Sequence, residues 1–387
     1  MFTFSDYPFK GQRVLVREDF NVPLKDGEVL DDSRLRAAVP TLQHLIKAGA
    51  AVMILSHFGR PQEGQFSTEF SLAPVADALS KLLDRPVELV SEWRNLKVEP
   101  GHVVLIENIR FEKGENSNDP ILAKALASIC DIVVMDAFAV SHRASASTVG
   151  VVEVAKQAIA GPLLEGELFA LNQAFTSPKR PLVAVVGGSK VSTKLDVLKS
   201  LIEKVDTLIV GGGIANTFLV AAGQSIGESL YEPSLVETAK QLLHYAKEHS
   251  KTILLPIDTI VSNDIQASSG VIKTLKEIQP HDKIFDIGPR AIEALKRTLA
   301  NAATVIWNGP VGVFENAAFA EGTKALAQAI AESDAFSLAG GGETLAAISQ
   351  FHVTDRISYI STGGGAFLEW LAGETLPAVA ALANKNH

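Results

Sequence analysis

Residues 13–23 read RVLVREDFNVP and residues 51–61 read AVMILSHFGRP. In each, a short apolar run breaks without a linker into a loop of charged and ligand-type side chains. Such runs are too brief for a helix, and their continuous apolar character marks strands buried on both faces, as in parallel sheets. The same unit recurs along the chain. In the first half, strands are expected at Arg13–Arg17, Val52–Ser56, Val87–Val90, Val103–Glu107 and Ile132–Asp136. In the second half they are expected at Leu182–Val186, Thr207–Val210, Thr252–Leu255, Lys283–Asp286, Thr304–Trp307, Ala335–Leu338 and Ile357–Ile360. Longer amphipathic stretches separate them, which makes the fold class α/β. The expectation is two doubly wound, Rossmann-like domains, each a parallel sheet with helices on both faces.

A length of 387 residues exceeds what one hydrophobic core usually serves, in keeping with two domains. Gly161-Pro162 opens a helical pattern, Leu163–Phe175, that stops before Ser177-Pro178. Residues 161–180 are therefore expected to form a connecting helix and hinge between domains at 1–160 and 181–370, with a C-terminal segment at 371–387. Charged residues are 20% and hydrophobic ones 47%, a globular rather than a disordered composition. The first residues lack a basic start followed by an apolar run. The most apolar stretch, Ile129–Val140, is broken by Asp131 and Asp136. The expectation is a cytoplasmic protein with no membrane partner. A net charge of −9 argues against nucleic acid as a partner. The lone cysteine, Cys130, can form no intramolecular disulfide and reads as a packing residue.

Charge and glycine are unevenly spread. Nine of the thirteen arginines precede residue 151, whereas twenty-one of the twenty-nine glycines follow residue 150, so the two halves carry different binding chemistry. In open α/β sheets, ligands bind beyond the carboxyl ends of the strands. In the first half those ends lead into REDFN (17–21), SHFGRP (56–61), ENIRF (107–111) and DAFAVSHR (136–143). Each delivers an arginine to one sheet edge: Arg17, Arg60, Arg110 and Arg143, with Arg34 shortly after the first strand. A single loop arginine is usually a solvated charge. Five on one rim suit a small anion with two or more negative groups, because the guanidinium fork pairs with carboxylate and phosphate. His57 and His142 lie inside the same motifs and are either further donors or structural. Asp19 and Asn21 break the positive pattern. They suit accepting from a substrate hydroxyl, orienting the arginines, or shaping the turn before Val22-Pro23.

In the second half the strands lead into GGSK (187–190), GGG (211–213), WNGPVGVFE (307–315), GGGE (340–343) and STGGG (361–365). Glycine lets backbone N–H groups approach a ligand, and a helix start adds partial positive charge, so such junctions suit phosphate. Lys190 and Lys194 are expected on one face of the first turns of the helix after GGS, where a phosphate between them would offset their conflict with the helix dipole. Neither G-x-x-x-x-G-K-[ST] nor G-x-G-x-x-G is present, which weighs against a dehydrogenase. Zinc-type cysteine pairs and a G-x-S-x-G elbow are also missing.

REDFNVP, SHFGRP, ENIRF, DAFAVSHR, GGSKVSTKL, GGGIANTFL, WNGPVGVFE, GGGETLAAI and STGGGAFLEWLAGETLP, in this order over nearly the whole chain, resemble phosphoglycerate kinase. The resemblance implies reversible phosphoryl transfer between 1,3-bisphosphoglycerate and ADP, giving 3-phosphoglycerate and ATP in glycolysis, with Mg2+. It assigns Asp19, Asn21, Arg34, His57, Arg60, Arg110 and Arg143 to the acid substrate, with Arg17 and His142 as neighbours. It assigns Lys194, Glu315, Gly341, Gly342, Glu343 and Thr344 to the nucleotide, with Glu343 at the metal. Arg34 and Lys190 match the residues that neutralise the transferring group. It further implies a monomer whose C-terminal segment packs back on the N-terminal domain and whose domains close about the hinge. Two positions depart from the common pattern: Glu343 stands where many members have Asp, and Ser189 where Ala is common. A catalytically inactive nucleotide-binding paralogue is the alternative, and it would be expected to have lost Arg34 or Lys190.

Overall fold

The computed structural model describes residues 3–385. These fall into two compact units, one of residues 3–168 with 375–385 and one of residues 169–374.

The first unit holds β1 (Arg13–Arg17), β2 (Leu24–Lys25), β3 (Glu28–Val29), β4 (Ala51–Leu55), β5 (Glu88–Val90), β6 (Val103–Ile106), β7 (Ile132–Met135) and β8 (Gln157–Ala160). Six of them form one parallel sheet in the order β5-β6-β4-β1-β7-β8. Val14, Leu15 and Val16 are fully buried, as a strand covered on both faces must be. One face packs Val14, Val16, Val52 and Ile54 against Leu35, Leu42, Leu45, Val75 and Leu79 of helices Ser33–Lys47 and Ala73–Leu83. Register decides what emerges beside what: Arg17 lies opposite Leu55 on one side and Met135 on the other. The loops after β1, β4 and β7 therefore leave the sheet level with one another. Helix Pro377–Lys385 completes this unit by packing on helix Val151–Val154 and β8, with Ala378 N donating to Ser141 O at 3.0 Å.

Two features of this unit lie outside the sequence expectations. β8 is polar and alanine-rich, which carries little strand signal. The β2–β3 hairpin is too short to show a period, although its Asp26-Gly27 turn takes the positive φ values, 52° and 81°, that this dipeptide favours.

The second unit holds β9 (Leu182–Val186), β10 (Thr207–Val210), β11 (Thr252–Leu254), β12 (Asp258–Ser262), β13 (Val271–Thr274), β14 (Lys283–Ile287), β15 (Thr304–Asn308), β16 (Phe336–Gly340) and β17 (Tyr359–Ser361). The parallel sheet runs β11-β10-β9-β15-β16-β17. Its order reverses direction between β9 and β15, so a crevice opens beyond their carboxyl ends. One expectation needs correction. The strand at Lys283–Asp286 is not in the parallel sheet but is an edge of a separate antiparallel sheet, β13-β12-β14. That sheet is partly solvated, with Val271 and Ile272 exposed, so it lacks the uninterrupted apolar run by which the buried strands were recognised. Of the other eleven expected strands, Arg13–Arg17, Leu182–Val186 and Thr207–Val210 keep both ends, and eight shift one or both ends by one or two residues. Residues 162–171 form a helix that runs on into a wider turn at Asn172–Thr176.

Candidate functional site

In the first unit, the level loops bring their polar residues together. Arg17 is buried; its Nε donates to Ser147 Oγ at 3.0 Å, a second nitrogen bonds Glu18 O, and a third lies 3.5 Å from His57 Nδ1. Arginine can only donate, so His57 Nδ1 accepts. Burial, then the charges of Arg17, Arg110, Arg143 and Arg34, hold His57 well below the ordinary histidine range and keep it neutral. Arg110 is buried against Gly59 O and is lowered to about 10, first by burial and then by Arg143 and Arg17, with Arg60 also acting on it. Arg60 and Arg143 are exposed, and Arg143 Nε donates to His142 Nε2 at 3.3 Å. A cavity of about 220 Å³ opens among Arg17, Arg110, Arg143, Glu115 and Ser145. The arginines named from the sequence thus converge, and each raises the cost of the others' charge.

Asp19 and Asn21 are committed to their neighbours. Asp19 accepts from Arg34 at 2.5 Å and from Asn21 N at 3.1 Å, while Asn21 Oδ1 accepts from Gly59 N at 2.9 Å. They orient Arg34 and pin the loop that carries Arg60. Glu107 and Asn108 do similar work. Glu107 accepts from Ser71 Oγ and Leu72 N, and Asn108 is bonded to both backbone groups of Phe58.

In the second unit, Lys190 and Lys194 do not share a helix face as expected. Residues 188–194 form bends and turns, and the helix begins only at Leu195. Gly188 has a positive φ of 133°. Lys190 lies exposed, whereas Lys194 turns inward, its Nζ donating to Gly187 O at 2.6 Å and Asn308 O at 3.1 Å. Burial lowers Lys194 to about 8, with Glu343 opposing the shift. A carbon placed on Gly188 would stand 3.6 Å from Lys194 Nζ and 3.8 Å from Glu343 Oε2, so the two opposite charges flank the same backbone.

Gly341 caps helix Gly342–Gln350 with a φ of 100°, which a side chain would strain. Glu343 and Thr344 lie in its first turn, and Thr344 Oγ1 accepts from Gly309 N at 2.8 Å. Asn308 Nδ2 donates to Gly340 O at 2.7 Å, while its buried Oδ1 has no protein partner. A cavity of about 890 Å³ runs past Gly188, Ser189, Gly212 and Gly213, with Glu343 in its lining and the exposed Glu315 at another part of it.

Sequence reasoning missed two acidic residues. Glu115 is buried and accepts from Ser145 Oγ and from Ser147 N and Oγ, providing the counter-charge that favours ionised Arg17 and Arg110. Asp286 lines the large cavity from the antiparallel sheet. Neither lies at the end of a parallel strand, the criterion by which the other residues were found.

Two parallel sheets, an arginine cluster beside one and glycine-rich turns beside the other put the chain among the α/β phosphotransferases. The sequence model of the family "Phosphoglycerate kinase" matches residues 4–374. A phosphoglycerate kinase of Coxiella burnetii is 52% identical over 383 residues, covering 98% of each chain. The solved structure of phosphoglycerate kinase from Coxiella burnetii superposes with a TM-score of 0.97 at 51% identity, over 100% of both chains. That of Pyrococcus horikoshii OT3 superposes at 0.83 and 35% identity, over 100% of this chain and 99% of that one. The chain belongs to the phosphoglycerate kinase family, phosphotransferases with a carboxyl group as acceptor.

Proposed function

We propose that the arginine cluster holds 3-phosphoglycerate, or 1,3-bisphosphoglycerate in the opposite direction, and that the glycine-lined cavity holds ADP or ATP. The observation that carries this is the crowding of Arg17, Arg34, Arg110 and Arg143 around one neutral histidine. Such an arrangement is costly until an anion enters it. Phosphoryl transfer then asks for positioning and charge neutralisation rather than covalent chemistry. The acceptor is a carboxylate, ionised at neutral pH, so it needs no general base. Arg34, held by Asp19, and the exposed Lys190 are the groups proposed to meet charge on the moving phosphoryl. Thr344 and the backbone N–H groups around Gly341 and Gly342 would hold the polyphosphate, Lys194 its charge, and Glu315 the ribose.

The donor set fits Mg2+. Among the described residues no three His, Cys, Asp or Glu side chains cluster as a metal cage. Mg2+ bound with a nucleotide needs only one or two carboxylates beside phosphate oxygens, and Glu343 stands at the glycine-rich helix start to supply one. The ion would neutralise phosphate charge there. Glu343 carries one methylene more than the aspartate common in the family, so its headgroup would reach the ion from a backbone set further back. The monomeric state and a cytoplasmic location are part of the proposal and rest on family resemblance. No helix among the described residues is long and apolar enough to cross a membrane.

The test is ATP consumption that depends on 3-phosphoglycerate. The natural chain is expected to show it. Lys190→Ala should lower kcat by about 100-fold while ADP affinity stays within about twofold, because its partner charge develops in the transition state. No acid-dependent ATP consumption would return the inactive nucleotide-binding alternative. A loss of affinity with unchanged kcat would remove Lys190 from its role.

A further inference from the structure

We infer that Asp286 is a positioning residue for the nucleotide-side cavity: its ionised carboxylate ties the start of helix Glu321–Glu332 to β14, with the turn Gly309–Glu315 seated against it, and so sets the grip on base and sugar. The inference deepens the nucleotide reading and rests on it.

Asp286 is about 1% exposed, yet two backbone donors converge on it. Gly322 N, in the first turn of the helix, donates to Oδ2 at 2.7 Å, and Ile287 N donates to Oδ1 at 2.9 Å. A carbon placed on Gly312, in the turn, would stand 2.1 Å from Oδ1, and one on Gly322, in the helix, 2.2 Å, so a side chain at either position would collide with the carboxylate. The carboxylate is thus enclosed by two glycines from two elements. One residue earlier on β14, Phe285 O accepts from Val313 N at 2.8 Å and fixes the same turn by its backbone. Phe285, Asp286, Gly312, Val313 and Glu315 all line the large cavity. A shift of the turn therefore moves Glu315 and the cavity wall together.

Bonds from a donor to each oxygen, plus a helix start, favour the ionised form; burial opposes it and wins in part. Asp286 is raised to about 7, by burial first, against the pull of Gly322 and Ile287 and with Glu321 adding to the rise. Glu321 on the helix is the charged group that acts on it; the turn and its own strand also carry the exposed Glu315 and the half-buried Lys283. On the paired strand β12, Asp258 is occupied by Arg290 N and Ala291 N. If only the ionised form keeps the helix start bonded and the turn seated against it, apparent affinity scales with the ionised fraction, which falls about tenfold from pH 8 to pH 6 for a group titrating near neutrality.

Adenosine is the probe, because it carries no phosphate to titrate and makes no call on Lys194. For the natural chain its Kd is expected to rise up to about tenfold from pH 8 to pH 6. For Asp286→Asn the Kd should be several-fold weaker at pH 8 and flat across the range. The same slope in both proteins, or no slope in the natural chain, would overturn the inference. Failure of the natural chain to bind adenosine at any pH would overturn the nucleotide reading and the inference with it. A merely structural role would lower the melting temperature of Asp286→Asn and leave the slope in place. Should that variant not fold, Gly312→Ala presses a methyl on the same carboxylate from the turn. It is expected to weaken adenosine binding and move the pH midpoint, and an unchanged Kd and midpoint would overturn the inference.

Discussion

Lys194→Met should make the second unit more stable at pH 7 while abolishing the phosphate contact proposed for that lysine. The lysine sits at about 8 against an ordinary 10.5, chiefly through burial. At about 1.4 kcal/mol per pH unit, keeping it charged costs the folded state about 3 kcal/mol at neutral pH. Methionine fills a similar volume without the charge. The change strips Gly187 O of its donor, a loss of about 1 kcal/mol. Asn308 O suffers less, because it also accepts from Gly187 N at 3.0 Å. The net gain is about 2 kcal/mol at pH 7.

The sign reverses with pH. Between 8 and 10.5 the unfolded chain binds a proton at Lys194 that the folded chain does not, so the natural protein gains stability as pH rises. By pH 9.5 that gain is about 2 kcal/mol, and the advantage of the variant should have vanished. Trp307 and Trp370 both lie in the second unit, so in a Trp93→Phe background urea unfolding followed by tryptophan fluorescence reads this unit alone. An advantage of the same size at pH 7 and pH 9.5 would refute the charge argument. A variant less stable than the natural chain at pH 7 would show that the lysine's bonds outweigh its burial.

Thr344→Val should cost about 1–3 kcal/mol by leaving Gly309 N–H without its acceptor, and should weaken ADP binding; Thr344→Ser should restore both, as read by urea unfolding and calorimetry. His57 is neutral among arginines, with its folded value below the ordinary 6.5. The first unit should therefore lose stability as pH falls below about 6.5, and His57→Gln should flatten that slope in unfolding followed by hydrogen exchange of the amides of β1, β4 and β7. Adding 3-phosphoglycerate should move the His57 titration, followed by NMR, upward, because an anion offsets the arginines; an unmoved titration would place the acid elsewhere.

What could be read from the sequence depended on burial. Strands such as Val14–Val16 and Leu182–Val186 are apolar throughout because helices cover both faces, and they were legible from composition alone. The antiparallel sheet was not, since Asp258–Ser262 and Val271–Thr274 mix polar and apolar residues on a partly wet surface. Among the candidate site residues, Arg17, His57 and Arg110 announced themselves as ligand-type side chains at or just beyond the ends of buried strands. Glu115 and Asp286 act on that chemistry from elsewhere in the chain. Their effect depends on which backbone N–H groups and glycines surround them, and only three-dimensional placement reveals that. Lys190 and Lys194 are four apart in a stretch that reads as helical, but the helix starts only after both, at Leu195, and so they point to different places.

The first unit is interrupted: its last helix, Pro377–Lys385, follows the whole of the second unit in the chain. A protein is made from its N-terminus, at a pace that lets early domains fold before late ones exist. Here the order is inverted for completion. Residues 169–374 are contiguous and can finish as soon as they leave the ribosome, whereas residues 3–168 must wait with the surface of Val151–Val154 and β8 uncovered and Ser141 O without the donor that Ala378 brings. The earliest segment synthesised is thus the last to be sealed. A chain that ended after residue 374 but before residue 377 would carry a finished second unit and an open first one.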